Sequence, residues 1–497
     1  MEEIKRLDAF FNPRSVAIIG ATKKMDKAGH VIFKNFAVNK KHGIFKGEIY
    51  PVNPKEESIL GFKCYPSITE IPGELESIVI VVPARIVPTI MDDAVAKKVK
   101  TAIIITSGFR EIGNVALEEQ IVAMAKKAGT RILGPNCLGV YYSKTGVDTL
   151  FLPETKVLTT GDEVIATPRP MPGNIAIVTQ SGAFGVAALD FLAGRQIGVS
   201  KFVSFGNKCD VTEFEMMHYL LYDKETKAIL LYVEDVKQGR EFLRVTKEVT
   251  LKKPIVALKA GRSAAGARAA ASHTGAIAGA DKIYDAAFAQ AGIIRAGDME
   301  EFFDAGKALS MQPPAWGRNI GVLTDAGGPG IMAVDECESN GLSVERFSEE
   351  TLQKFQKLKD EGVLPKFAAT SNPVDLTGSV TDDMFEVAAD IMFQDSAIHG
   401  IILLGLHHLP ALREKYIDNV GEAASKYNKP MVMCDIGETE MALYTRSRFD
   451  KLGIPSYSSP EDAARAMAAL VDYGSYLRKN DCLEEYIDEF LKDKNKL

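Results

Sequence analysis

Short runs of branched apolar residues recur along this chain, most bounded by Gly or Pro and each followed by a stretch with helical spacing. They read SVAIIGA (15–21), SIVIVVP (77–83), TAIIITSG (101–108), NIAIVTQSG (174–182), KAILLYVE (227–234), PIVALKAG (254–261), NIGVLTDAGG (319–328), GIILLGL (400–406) and PMVMCDIG (430–437). Runs without polar alternation suit strands buried on both faces of a parallel sheet, with helices as the crossovers. The predicted fold class is therefore α/β, doubly wound.

A chain of 497 residues exceeds one hydrophobic core. Two Pro-rich passages, ATPRPMPGN (166–174) and QPPAWGRN (312–319), each precede a new strand and divide it. The expected domains are 1–145, 146–312 and 313–475, followed by a charged helix and tail at 476–497. Apolar residues make up 46% with no run able to cross a bilayer, and the N-terminus lacks an apolar signal core, so a cytoplasmic protein without membrane contact is expected. A net charge of −7 argues against a nucleic acid partner. The six cysteines are scattered without metal-ligand spacing, so reduced thiols and no metal site are expected.

The second and third domains are two copies of one plan. One opens NIAIVTQSGAFG (174–185) and the other NIGVLTDAGGPG (319–330); both continue through matching strands and end alike. The second domain alone carries the insertion RSAAGARAAASHTGAIAGADKIYD (262–285), a small-residue loop that holds His273. An addition to a duplicated scaffold marks where chemistry was added.

The first domain opens strand-turn-helix but lacks both G-x-G-x-x-G and the acidic residue that would hold a ribose hydroxyl. Lys55 instead offers a positive charge after the second strand, which suits a phosphorylated nucleotide such as CoA; a purely structural turn has the same appearance. Ligands of open α/β sheets bind at the C-terminal strand edge, which gathers Gly20, Ala21, Thr22, Lys23, Asn53, Lys55, Pro83, Ser107, Gly108 and Asn136.

Gln180-Ser181-Gly182 and Gly327-Gly328 each lie between a buried strand and a helix, where open backbone N–H groups bind phosphate; tight helix–strand packing also calls for Gly there. A histidine nitrogen is a neutral nucleophile near pH 7 and a suitable phosphoryl carrier, so His273 is the candidate, a surface histidine being the plainer alternative. It needs an orienting acceptor, for which Glu234 and, alternatively, Asp235 end the matching strand. His407 and His408 end the corresponding strand of the third domain and are expected to point to opposite faces, which excludes a shared metal.

These residues resemble the α subunits of the NDP-forming acyl-CoA synthetases, the superfamily of succinyl-CoA synthetase, and most closely the ADP-forming acetate–CoA ligases. The resemblance covers nearly the whole chain, through the SHTGAIAG segment (272–279) and the duplicated domain. It implies a Rossmann-like CoA-binding domain followed by two flavodoxin-like domains, with His273 phosphorylated and Glu234 steadying it. It further implies phosphate held at Ser181-Gly182 and Gly327-Gly328, and CoA or acetyl-CoA near the G-A-T-K turn (20–23), Lys55 and Ser107-Gly108, although that turn departs from the succinyl enzyme. Val186 stands where the succinyl enzyme has a tyrosine, which favours a small monocarboxylic acid. No ATP-grasp sequence or Walker A motif is present, so ADP/ATP and Mg²⁺ are expected on an ATP-grasp β subunit, in an α2β2 assembly. The competing readings are a non-catalytic acyl-CoA sensor and a subunit of a protein acyltransferase system.

Overall fold

The structure, a computed structural model, describes residues 6–274 and 281–494, the side chains of 270–274 and 493–494 excepted. It divides into two units, 1–291 and 292–497.

The first sheet of unit 1 contains β1 (Ser15–Ile19), β2 (Glu48–Val52), β3 (Ser77–Ile80), β4 (Thr101–Ile104) and β5 (Arg131–Leu133), in the order β2-β1-β3-β4-β5. Every pairing is parallel. Helices α1 (Ala28–Lys41), α2 (Val87–Ala96) and α3 (Val115–Ala128) are the crossovers. One core joins Ile78, Ile80 and Ile104 of the sheet to Met91 of α2 and Ile121 of α3. Each such side chain contributes about 1.5–3 kcal/mol by burial.

The second sheet adds β6 (Gly139–Tyr142), β7 (Pro172–Thr179), β8 (Val199–Ser204), β9 (Ala228–Val233) and β10 (Ile255–Lys259), in the order β10-β9-β7-β8-β6. β6 pairs antiparallel to β8, and the rest are parallel. Its helices are α4 (Gly182–Gly194), α5 (Glu213–Leu221), α6 (Gly239–Thr250), α7 (Ala264–Thr274) and α8 (Asp281–Ala291). The stretch expected as an open loop before His273 is thus helical in α7, because its alanines are the strongest helix formers. His273 belongs to that helix, and its side chain lies outside the described residues.

Unit 2 is built on β11 (Ile320–Thr324), β12 (Val374–Asp375), β13 (Gly400–Leu404), β14 (Met431–Cys434) and β15 (Ser456–Tyr457), ordered β12-β11-β13-β14-β15. Among the described residues its helices are α9 (Met299–Met311), α10 (Gly327–Ser339), α11 (Glu349–Asp360), α12 (Asp382–Gln394), α13 (Lys415–Ser425), α14 (Glu440–Lys451), α15 (Pro460–Lys479) and α16 (Leu483–Lys494). The charged terminal stretch forms α16, which docks by burying Leu483 and Ile487 and by setting Tyr486 edge-on against Tyr473 of α15 at 5.3 Å.

The duplication expected from sequence is visible in register. Thr179 of β7 pairs with Tyr232 of β9, and Thr324 of β11 pairs with Leu404 of β13. Those pairings make Gln180 equivalent to Asp325, Ser181 to Ala326, Glu234 to Leu406 and Asp235 to His407. The same local bonds recur: Thr179 Oγ1 bonds the backbone of Ser181, and Thr324 Oγ1 bonds that of Ala326.

Among the described residues no helix is long and apolar enough to cross a membrane, and no group of three or more His, Cys, Asp or Glu could hold a metal ion. The six cysteines are free.

Candidate active site

In each sheet the strand order reverses beside the first strand, and that switch point opens a crevice at the C-terminal edge. In the first sheet it lies between β1 and β3. Gly20 follows β1 with φ +94°, and a Cβ there would stand 2.5 Å from the Val81 carbonyl oxygen. Only glycine fits so close an approach in that conformation.

The expected crevice residues interlock around this turn. Asn53 Nδ2 donates to the carbonyl of Ala21 at 2.8 Å, and its Oδ1 accepts from the Lys55 N–H at 3.0 Å. The carbonyl of Thr22 meets His30 Nδ1 of α1 at 2.9 Å. Lys23 is exposed and pairs with Glu56 at 3.1 Å, and Lys55 is exposed. Pro83 caps a short 3₁₀ turn after β3. Gly108 has φ +111° and donates its N–H to Glu111.

In the second sheet the switch point lies between β7 and β9. Ser181 caps α4, its Oγ accepting from the Phe184 N–H at 3.2 Å, while the Gly185 N–H bonds the Ser181 carbonyl at 3.0 Å. Among the described residues the N–H groups of Gly182 and Ala183 have no protein partner, so two donors of the first turn stay open. Unit 2 reaches the same state differently. Ala326 lacks the capping hydroxyl, and Pro329, equivalent to Phe184, lacks the N–H that would need it, leaving the N–H groups of Gly327 and Gly328 at the start of α10.

Across the β7/β9 switch point, Gln180 Oε1 accepts from the Glu234 N–H at 2.9 Å, and its Nε2 donates to Asp235. Asp235 also faces Lys208, whose Nζ lies 3.4 Å from Oδ1 and donates to the Asp235 carbonyl at 2.7 Å. Burial alone would raise the Asp235 pKa, but Lys208 and Gln180 outweigh it and hold the carboxyl below its usual range. Asp235 is therefore committed to a structural network. Glu234 is buried and hydrogen-bonded by Tyr232, whose hydroxyl is pushed up to about 12 by burial and by this carboxylate.

These elements enclose a cavity of about 500 Å³. Of the residues expected from sequence, Ser107, Asn136, Gln180, Ser181, Gly182 and Glu234 line it, together with Val186. The Gly20–Lys23 turn, Asn53, Lys55, Pro83 and Gly108 do not line it. Sequence reasoning missed the lining residues Arg110, Phe151, Leu152, Asn207 and Lys237. Asn207 follows β8 and Lys237 follows β9, so examining every strand end at this edge would have found both. Asn207 Nδ2 bonds Glu111 at 2.6 Å and Glu118 at 2.9 Å, which ties β8 to the loop after β4.

At the unit 2 edge, one expectation is corrected. β13 ends at Leu404, before the histidines, so strand alternation does not apply: the His407 and His408 rings lie 3.9 Å apart at 31°. His407 Nδ1 meets the fully buried Asp435 at 2.8 Å, and Nε2 meets Thr439 Oγ1 at 3.2 Å. Asp325 accepts from the Leu406 N–H at 2.9 Å, repeating the Gln180–Glu234 bond, and burial raises its pKa to about 7.

Three family models match in succession: a CoA binding domain over 14–143, a succinyl-CoA ligase like flavodoxin domain over 172–309 and a Ligase-CoA domain over 320–474. The α subunit of acetate–CoA ligase [ADP-forming] I from Pyrococcus furiosus is 40% identical, over 95% of this chain and 99% of that one. Acetate–CoA ligase [ADP-forming] from Methanocaldococcus jannaschii is 38% identical over 97% of this chain but only 65% of its own length. The solved structure of dinucleotide-forming acetyl-coenzyme A synthetase 1 from Candidatus Korarchaeum cryptofilum, in complex with phosphate and ADP, superposes with a TM-score of 0.85 at 35% identity, covering 95% of this chain and 98% of that one. The chain belongs to the family of ADP-forming acetate–CoA ligase α subunits, within the succinyl-CoA synthetase superfamily.

Proposed function

We propose that this chain is the α subunit of an ADP-forming acyl-CoA synthetase that converts acyl-CoA, ADP and phosphate to a small carboxylic acid, ATP and CoA. The observation that carries the reading is the single cavity on which Ser107 and Asn136 of the CoA-binding fold meet the open start of α4 and Glu234. The nucleotide step is assigned to a partner, because the P. furiosus relative, matched over 99% of its length, is named subunit alpha. That partner is an ATP-grasp β subunit holding ADP and Mg²⁺ in an α2β2 assembly, and the cytoplasm is the compartment such chemistry implies.

The chemistry runs in three reversible steps. A phosphate oxygen attacks the thioester carbonyl; the C–S bond breaks and the electron pair leaves on the CoA sulfur, giving an acyl phosphate. A His273 ring nitrogen then attacks phosphorus, and the carboxylate leaves with the P–O electron pair. ADP on the partner finally takes the phosphoryl group from His273.

The chain's own groups supply binding and electrostatics. CoA belongs in the first-sheet crevice, where Gly20 lets the turn after β1 pack tightly against the Val81 carbonyl. The N–H groups of Gly182 and Ala183 are fixed dipoles that stabilise charge on phosphoryl oxygens without reorganising. Gly327 and Gly328 give unit 2 the same capacity. Glu234 is the orienting carboxylate for His273, since Asp235 already serves Lys208.

The test mixes wild type and His273→Ala with acetyl-CoA and labelled phosphate, then measures acid-labile, base-stable label on the protein. Label on wild type alone is expected. Label on neither, with CoA still bound and a candidate β chain added, would overturn the carrier reading and leave a CoA sensor.

A further inference from the structure

Glu234 is held at both ends. Its N–H donates to Gln180 Oε1 at 2.9 Å, and its carboxylate accepts from the Tyr232 hydroxyl. Continuing the alternation of β9 by one residue puts positions 232 and 234 on the same face, which is why the phenol reaches the carboxylate. Burial and that carboxylate push the hydroxyl up to about 12, so it keeps its proton through the neutral range and acts as the donor. An ionised carboxylate has about four acceptor sites, so one phenol fixes its plane without exhausting it.

The Tyr232 ring is itself braced. Phe184 stacks on it with centroids 4.1 Å apart and planes 18° apart. Phe184 lies in the first turn of α4, where its N–H donates to the Ser181 hydroxyl at 3.2 Å, so the helix cap fixes the stacking ring. The rest of β9 is apolar, Ala-Ile-Leu-Leu before the tyrosine and Val after it, and packing such a strand calls for no hydroxyl. Unit 2 bears this out. The pairings Thr179–Tyr232 and Thr324–Leu404 make Tyr232 equivalent to Leu404, Glu234 to Leu406 and Phe184 to Pro329. The second copy thus lacks the acid, the phenol and the stacking ring together, and its sequence also lacks the insertion that carries His273. A hydroxyl serving only the sheet would have no reason to go with the other two.

We infer that Tyr232 is a positioning residue for the phosphoryl transfer proposed above: its hydroxyl, steadied by Phe184, holds the Glu234 carboxylate in the orientation that meets a ring N–H of His273. The assignment rests on that reaction and deepens it. Tyr232 keeps its proton, forms no covalent bond and acts only through Glu234. A carboxylate already held in place loses no rotational freedom when the histidine arrives, so the hydroxyl acts on the rate of transfer and not on the binding of acyl-CoA or phosphate.

Tyr232→Phe deletes the hydroxyl and keeps the ring and its stack. With acetyl-CoA and labelled phosphate, the full chain carrying it should take up label at least tenfold more slowly at saturation. The concentrations giving half-maximal rate should stay within twofold of wild type, a split that damage to the fold would not give. Phe184→Leu loosens the stack and leaves the hydroxyl, so its rate should lie between the two. In Glu234→Gln the phenol claims the amide oxygen and turns the NH₂ toward the histidine. Adding Tyr232→Phe to that variant should therefore slow it less than twofold, whereas a tyrosine needed for packing would cost the same in both backgrounds. An unchanged rate in Tyr232→Phe, a loss confined to the half-saturating concentrations, or a tenfold loss that persists in Glu234→Gln would overturn the assignment and leave the labelled histidine standing. Wild type without label, a candidate β chain being present, would overturn the reaction and this assignment with it.

Discussion

Gln180 and Asp235 are joined twice: the Gln180 amide donates from Nε2 to the Asp235 carboxylate, while its Oε1 accepts from the Asp235 N–H at 3.1 Å. One side chain thereby locks the end of β9 to the end of β7 at the switch point. Gln180→Ala leaves buried donors and a carboxylate without this partner, and should cost about 1–3 kcal/mol in denaturant unfolding. Phosphohistidine formation should fall with it, because the same residue sets the height of Glu234 in the cavity.

The two adjacent carboxylates should respond differently. Asp235→Asn removes a counterion from the buried Lys208 and should cost roughly 3 kcal/mol in unfolding. Glu234→Gln keeps the side chain's shape and should stay within about 1 kcal/mol in unfolding. It should slow phosphoryl acceptance by roughly 10–100-fold, the scale for loss of an orienting partner of histidine. Measuring both readouts on both variants separates support from chemistry.

Asp325 sets a pH dependence in unit 2. Its folded pKa, raised to about 7 by burial with Asp435 and Asp375 adding to it, lies above the value of about 3.9 in the unfolded chain. The native state thus binds more protons between these values, and stability falls as pH rises from about 4 through 7. Asp325→Asn keeps an acceptor for the Leu406 N–H and cannot ionise. It should gain on wild type as pH rises from 5 to 8, by up to roughly 2.7 kcal/mol for the two units between pH 5 and the folded pKa, in thermal unfolding followed across that range.

Two glycines with positive φ should separate strain from crowding. Gly43 has φ +72° and open space around its would-be Cβ, so Gly43→Ala should cost about 1 kcal/mol. Gly20→Ala meets the Val81 carbonyl as well. It should cost clearly more and weaken CoA binding at least tenfold, read by calorimetric titration.

The strands and the duplication were legible because apolar runs buried on both faces leave an unmistakable pattern, and because equivalent turns kept their spacing. Part of the cavity wall was legible too: Ser107, Asn136, Gln180, Ser181, Gly182 and Glu234 all sit one or a few residues past a strand end. Lys237 and Asn207 were not, since a lysine and an asparagine in polar loops look merely solvated until the cavity they line is seen. The helix α7 was missed because Ala, Gly, Ser and Thr were read together as a loop, while the alanines decide the backbone. The stacking of His407 on His408 depends on where β13 stops, and an apolar run does not mark its own last residue.

The starts of α4 and α10 differ by a matched exchange. In one copy a serine satisfies the third donor; in the other a proline has abolished that donor and the hydroxyl is gone. The missing N–H and the missing hydroxyl thus match one another: two halves sharing one architecture begin the equivalent helix by different means, one by capping its third donor and the other by having none to cap.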